Sequence, residues 1–242
     1  MADQAIHWLF PTPVLQADLT PTADVALAMD QQLALFDREV FSHPEFSDRN
    51  NLTGDLLGKA GLDQLHRLEA FQWLNQQLAV HVDAFLRELL GPNHALEVHI
   101  QKAWPVVCAR QGGTIEPHTH RNAQLSAVFY VRTEPDNPSG ELEFQAADDY
   151  FSHVMAIPYR DAAVSGGVFA PQQHRLLLFP SDLRYQVTPY EGRHRVTPSP
   201  TTWRSQQPLV RDGKCACPIR WTGSPSASQG RPERIPPVSG SP

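Results

Sequence analysis

The apolar residues of this chain change their period near residue 95, and that change limits the fold more than any other feature. From Thr22 onward Val25, Met29, Leu33 and Phe36 recur every three or four residues, which makes one stripe on a helix entered through Pro21. A second stripe, Phe71, Leu74, Leu78, Val82, Phe85 and Leu89, runs up to Gly91-Pro92, a helix stop, with His81 beside it as a structural residue. Beyond 95 the rhythm is two residues: Val98 and Ile100 alternate with Glu97, His99 and Gln101, as in a half-buried strand. Leu125 to Val131, Glu141 to Phe144 and the wholly apolar Leu176 to Phe179 read as further strands. Helices first and short strands after predict helices buttressing an antiparallel barrel or sandwich.

Three regions follow. Residues 1–95 form an N-terminal arm and the buttressing helices; the apolar run Trp8 to Leu15, broken by Pro11 and Pro13, suits an edge strand or an extended arm. Ser42 to Ala60, with Pro44, Gly54, Gly58 and several Asn and Asp residues, reads as a loop. Residues 96–196 form the β core. Residues 197–242 hold nine of the 22 prolines and seven serines, a composition expected to stay disordered rather than to pack as sheet.

Composition narrows the function classes. The 20 Lys and Arg stand against 26 Asp and Glu without a basic run, so no nucleic-acid partner is expected. No apolar stretch is long enough for a secretory signal or a spanning helix, which predicts a cytoplasmic protein with no membrane partner, acting on a small molecule. Three cysteines cannot build a disulfide framework. Cys108 reads as a small buried hydrophobe, and Cys215 and Cys217 lack a second ligand pair for zinc.

The sharpest local feature is Gly112-Gly113-Thr114-Ile115-Glu116-Pro117-His118-Thr119-His120. Residues two apart in an extended chain point to the same side, so the imidazoles of His118 and His120 can converge on one metal ion, with Glu116 joining if the strand reaches it. Imidazole suits iron, copper, nickel and zinc alike. The competing explanation is coincidence on an exposed strand, made easy by 11 histidines.

Extended blocks surround this motif: Phe10-Pro11-Thr12-Pro13-Val14, Thr53-Gly54-Asp55-Leu56, Trp104-Pro105-Val106, the run His118 to Val131, and Phe179-Pro180-Ser181-Asp182-Leu183-Arg184-Tyr185 continuing to Gly192. In these blocks the chain resembles a family of bacterial 2-oxoglutarate and iron(II) oxygenases. The resemblance implies a mainly β fold with flanking α-helices, a double-stranded β-helix (jelly roll, cupin-like barrel), with Fe(II) as cofactor and 2-oxoglutarate as co-substrate. It implies that His118 and His120 are paired metal ligands and that Arg195 fixes the far carboxylate of 2-oxoglutarate, a task suited to a guanidinium fork. Thr197 and Tyr130 are the accompanying co-substrate contacts.

Two departures matter. Where the family carries its last metal-binding histidine this chain has Tyr185, and a neutral phenol, with an ordinary pKa of about 10, is a poor ligand until the metal removes its proton. After Arg195, where a barrel-closing strand belongs, comes Thr197-Pro198-Ser199-Pro200, which resembles out-of-frame coding sequence. His174 and His194 flank the Tyr185 block as reserve ligands. The expected function is therefore a dioxygenase hydroxylating an unknown substrate, impaired at position 185. Two alternatives stay open. One is an inactive jelly-roll binding domain. The other is a cupin-type metal enzyme, whose motif Gly112, His118 and His120 fit, with Gln124 where a Glu belongs.

Overall fold

The fold is seen in a computed structural model, which describes residues 12–42, 63–94, 96, 98–106, 113–121, 123–134, 137, 139–146, 166–191 and 202–205. Strand β1 (Leu15–Asp18) leads into helix α1 (Ala23–Ser42), whose first turn is closed by Ala26 N–H donating to the Thr22 carbonyl at 2.9 Å. Met29, Leu33 and Phe36 are buried, as the stripe predicts. Two short 3-10 turns, Leu65–Arg67 and Glu69–Phe71, precede helix α2 (Gln72–Leu90). That helix buries Leu74, Leu78, Phe85 and Leu86 and stops at Gly91, whose φ of 92° is open to glycine and which donates its N–H to the Arg87 carbonyl at 2.9 Å.

The remaining elements are strands: β2 (Ile100–Trp104), β3 (Ile115–His118), β4 (Leu125–Phe129), β5 (Leu142–Gln145), β6 (Gly166–Phe169), β7 (Arg175–Pro180), β8 (Arg184–Val187) and β9 (Thr202–Ser205). They form two antiparallel sheets, a major one ordered β1-β7-β4-β9-β2 and a minor one ordered β3-β8-β5-β6. The two-sheet arrangement is the mainly β, double-stranded β-helix architecture that the sequence implies.

Why β4 and β7 are apolar throughout becomes clear from their two faces. Ala127, Phe129, Leu176 and Leu178 belong to the core shared with the helices, together with Met29, Leu33, Phe71 and Leu74. Their neighbours Val128, Tyr130, Leu177 and Phe179 belong to a second core with Leu142, Phe144, Tyr185 and Val187 of the minor sheet. Each strand is thus covered on both sides, by helices and by the opposing sheet, and alternation of hydrophobicity vanishes from its sequence while alternation of direction persists.

Several expectations need adjustment. Leu89 is 44% exposed and Leu86 takes its place in the core, because the stripe drifts around the last turns of α2. The first core strand is Ile100–Trp104, two residues later than the alternation beginning at Val98 indicates. The expectation that nothing beyond residue 196 packs as sheet is corrected at β9, which lies between β4 and β2, with Ala127 and Ala103 both opposite Trp203. The physical reason is local: Thr201 to Gln207 contains no proline, so a barrel-closing strand forms after the Pro198 and Pro200 interruption instead of directly after Arg195. The 42–60 loop (but for Ser42 at the end of α1), the three cysteines and the rest of the tail lie outside the described residues.

Candidate metal centre

The site is built where β3 ends. His118 is the last residue of β3 and stands directly opposite Tyr185 of β8, which in turn stands opposite Phe144 of β5. Two residues on, the His120 N–H donates to the Ser181 carbonyl at 2.8 Å, and the Ser181 N–H donates to the Gln124 carbonyl at 2.9 Å. Ser126 and Ser181, both fully buried, share a hydroxyl–hydroxyl hydrogen bond of 2.7 Å. These bonds fasten the segment that carries His120 to the turn between β7 and β8, so two pieces of chain some sixty residues apart meet in fixed register.

Three rings converge there. His120 Nε2 and the Tyr185 hydroxyl are 2.7 Å apart in a hydrogen bond, with the two residues 4% and 3% exposed. The His118 ring centroid lies 4.4 Å from that of Tyr185 and 5.0 Å from that of His120. His118 Nδ1 is 2.8 Å from the Glu116 carbonyl, an acceptor; the ring therefore donates from Nδ1, which makes Nε2 its acceptor nitrogen. Phe179 packs against Tyr185 at 5.2 Å between ring centroids, and Trp104 presents an edge to His120 at 6.0 Å. The wall beside His120 and Tyr185 is thus aromatic, and these two residues are buried while His118 is partly exposed.

The structure brings together His118, His120 and the residue at position 185. Glu116 itself is exposed and enters through its carbonyl only. Tyr130 belongs to the same interior core as Tyr185. The reserve ligand His174 goes elsewhere: it stacks on Phe129, which belongs to the core shared with the helices, and sits at a φ of 64° in the turn before β7. Burial lowers the His174 pKa from its ordinary value. Arg195, Thr197 and His194 lie outside the described residues. Sequence reasoning missed the Ser126–Ser181 pair, although a serine inside each apolar block was a visible signal of a buried polar contact.

Whether these residues fit Fe(II) can be judged from the donors. Among the described residues no group of three His, Cys, Asp or Glu comes together that could hold a metal ion. The converging set is two imidazoles and a phenol, and the phenol is already hydrogen-bonded to one of the imidazoles. A soft-to-borderline ferrous site completed by a third imidazole or a carboxylate does not match this set.

Residues 102–199 match the family described as "Putative 2OG-Fe(II) oxygenase". No curated protein is similar enough to match. Among solved structures, the chain is similar to a prolyl-4-hydroxylase from Pseudomonas putida, at 20% identity and a TM-score of 0.46, covering 81% of this chain and 94% of that one. A prolyl hydroxylase from Trichoplax adhaerens, solved with a peptide fragment of the hypoxia inducible factor oxygen degradation domain, gives 16% identity and a TM-score of 0.48, over 80% and 83% of the two chains. An oxidoreductase of the 2OG-Fe(II) oxygenase family from Burkholderia pseudomallei gives 12% and 0.41, over 58% and 59%. The matched segment spans β3 to β8, with His118, His120 and Tyr185 inside it, so the likeness to the 2OG-Fe(II) oxygenase family covers the part of the chain that builds the site.

Proposed function

We propose that this chain is a dioxygenase of that family which hydroxylates a small-molecule or peptide substrate, and whose Fe(II) loading is held down by Tyr185. One observation carries the reading: the Tyr185 hydroxyl stands 2.7 Å from His120 Nε2, where a third ligand would have to meet the first two. Two imidazoles alone leave the coordination set incomplete, whereas a histidine at 185 would offer a neutral nitrogen needing no proton removed near pH 7. Tyr130 supports co-substrate binding from the same interior core, and Arg195 and Thr197 are assigned to the 2-oxoglutarate carboxylate on the family resemblance.

The test is 2-oxoglutarate consumption with added Fe(II), comparing the natural protein with Tyr185→His. Greater iron uptake and faster consumption in the variant support the reading. Equal and negligible values in both proteins favour the second reading, a jelly roll that keeps the family fold as a binding domain, for which the His120–Tyr185 hydrogen bond already closes the site. Brisk turnover by the natural protein would refute the assigned role of Tyr185.

A further inference from the structure

Strand β3 is weakly held by its own backbone. It is four residues long, it stands at the edge of the minor sheet beside β8, and its pairing with β8 shifts register between Ile115 and His118. Pro117 within it has no N–H to donate to a ladder. We infer that the His120–Tyr185 hydrogen bond is the clamp that secures this strand end, joining β3 to β8 directly where an ion shared by three ligands would otherwise tie the two strands together. The clamp shares with the proposed function only the placement of Tyr185 against His120, and it requires neither metal nor turnover.

Geometry supports it first. His120 grips the turn between β7 and β8 on both of its sides: its N–H donates to the Ser181 carbonyl at 2.8 Å before the turn, and its Nε2 lies 2.7 Å from the Tyr185 hydroxyl after it. The chain leaving β3 is therefore fastened at two points, one through backbone and one through side chains. His118 stands opposite Tyr185 in register and lays its ring 4.4 Å from the phenol ring. From the other side, the Ser181 N–H bond to the Gln124 carbonyl and the Ser126–Ser181 hydroxyl bond hold the same turn against β4.

The chemistry of the pair suits a direct bond. A phenol carries its hydroxyl at the far end of the ring, so Tyr185 reaches across the space that a histidine at 185 would leave for an ion. A hydroxyl both donates and accepts, and an imidazole nitrogen takes the complementary role by choice of tautomer, so the bond needs no charge on either partner. His120 and Tyr185 are 4% and 3% exposed, with Phe144 and Phe179 packed against the phenol at 6.1 and 5.2 Å between ring centroids and the Trp104 edge against the imidazole. In such surroundings a hydrogen bond is stronger than in water, and deleting one partner leaves the desolvation of the other uncompensated by that bond. A site held by an ion draws part of its folding free energy from the ion, whereas a site closed by two side chains draws none. The natural fold is therefore indifferent to chelation.

The experiment is urea and thermal unfolding of the full chain with and without EDTA, beside Tyr185→Phe, His120→Ala and the double variant. The unfolding midpoint of the natural chain is expected to be the same with and without EDTA. Tyr185→Phe, which keeps the ring and removes the hydroxyl, is expected to lower the folding equilibrium constant by about five- to 150-fold. In the His120→Ala background the same change is expected to cost much less, because its partner is already gone. A Tyr185→Phe variant as stable as the natural chain, an equal cost in both backgrounds, or a natural chain that loses stability in EDTA and regains it with added metal would each overturn the inference. The EDTA comparison needs no substitution, so it decides even where a variant fails to fold. Failure here is separable from failure of the proposed function. An uncoupled His120–Tyr185 pair, combined with a Tyr185→His variant that gains 2-oxoglutarate consumption, sinks only this inference. A coupled pair together with an inert Tyr185→His variant sinks only the other.

Discussion

Ser126 and Ser181 are both fully buried, 55 positions apart, and joined by one hydroxyl–hydroxyl bond of 2.7 Å. Replacing either by Ala leaves the other hydroxyl buried without that bond, at a cost of about 1–3 kcal/mol, whereas replacing both removes the polar demand and should cost less than the sum of the single changes. For a chain of this size the single variants should lower Tm by about 2–4 °C per kcal/mol. The pair also bears on the site, because the Ser181 carbonyl receives the His120 N–H and its own N–H reaches Gln124. A double-mutant cycle measured by urea and thermal unfolding is the assay, and a favourable coupling of about 1 kcal/mol or more is expected. Additive single mutants, with coupling near zero, would refute the idea that this bond pins the His120 segment to the β7–β8 turn.

Three further outcomes can be checked. Burial, aided by the Arg67 charge, pushes the His66 pKa down from 6.5 to about 4, so below 6.5 the unfolded chain takes up a proton that the folded chain refuses. Stability conferred by neutral His66 is therefore complete above 6.5 and is lost as pH falls toward 4; His66→Gln should flatten the Tm profile over that window, leaving the weaker slope from His81 and His174, whose pKa values burial also lowers. Because β9 hydrogen-bonds to strands on both sides, Trp203→Pro should cost about 1–3 kcal/mol more than Trp203→Thr, and equal unfolding midpoints would contradict the strand. Leu177→Ala and Leu178→Ala should each cost about 2–5 kcal/mol, yet only Leu177→Ala, which opens the core that contains Tyr185, should also weaken metal binding at the site.

The helices were legible because each buries a single stripe: Met29, Leu33 and Phe36 on one, Leu74, Leu78 and Phe85 on the other, all at helical spacing. Strands β4 and β7 were legible as apolar runs, though only the structure shows that their odd and even positions serve two different cores. The strand β6 (Gly166–Phe169) escaped, since Gly166 and Gly167 carry no side chain to report a period. There Gly166 lies so close to β5 that a Cβ would stand 2.4 Å from the Phe144 carbonyl oxygen. The histidine pair was readable from its two-residue spacing. Its union with Tyr185 was not readable from local pattern, because it depends on the β3–β8 register that sets His118 opposite Tyr185 and on a His120–Tyr185 hydrogen bond across 65 residues, and position 185 came only through family resemblance.

The claim on which the account rests is that His118, His120 and position 185 form one metal centre. Its most direct measurement is an anaerobic Co(II) or Fe(II) titration of Tyr185→His beside the same variant carrying His118→Ala and His120→Ala. The account predicts one tightly bound metal per chain in the first protein, more tightly held than in the natural chain, and loss of that binding in the second. Equal affinity in the two variants, or no gain over the natural protein, would contradict it.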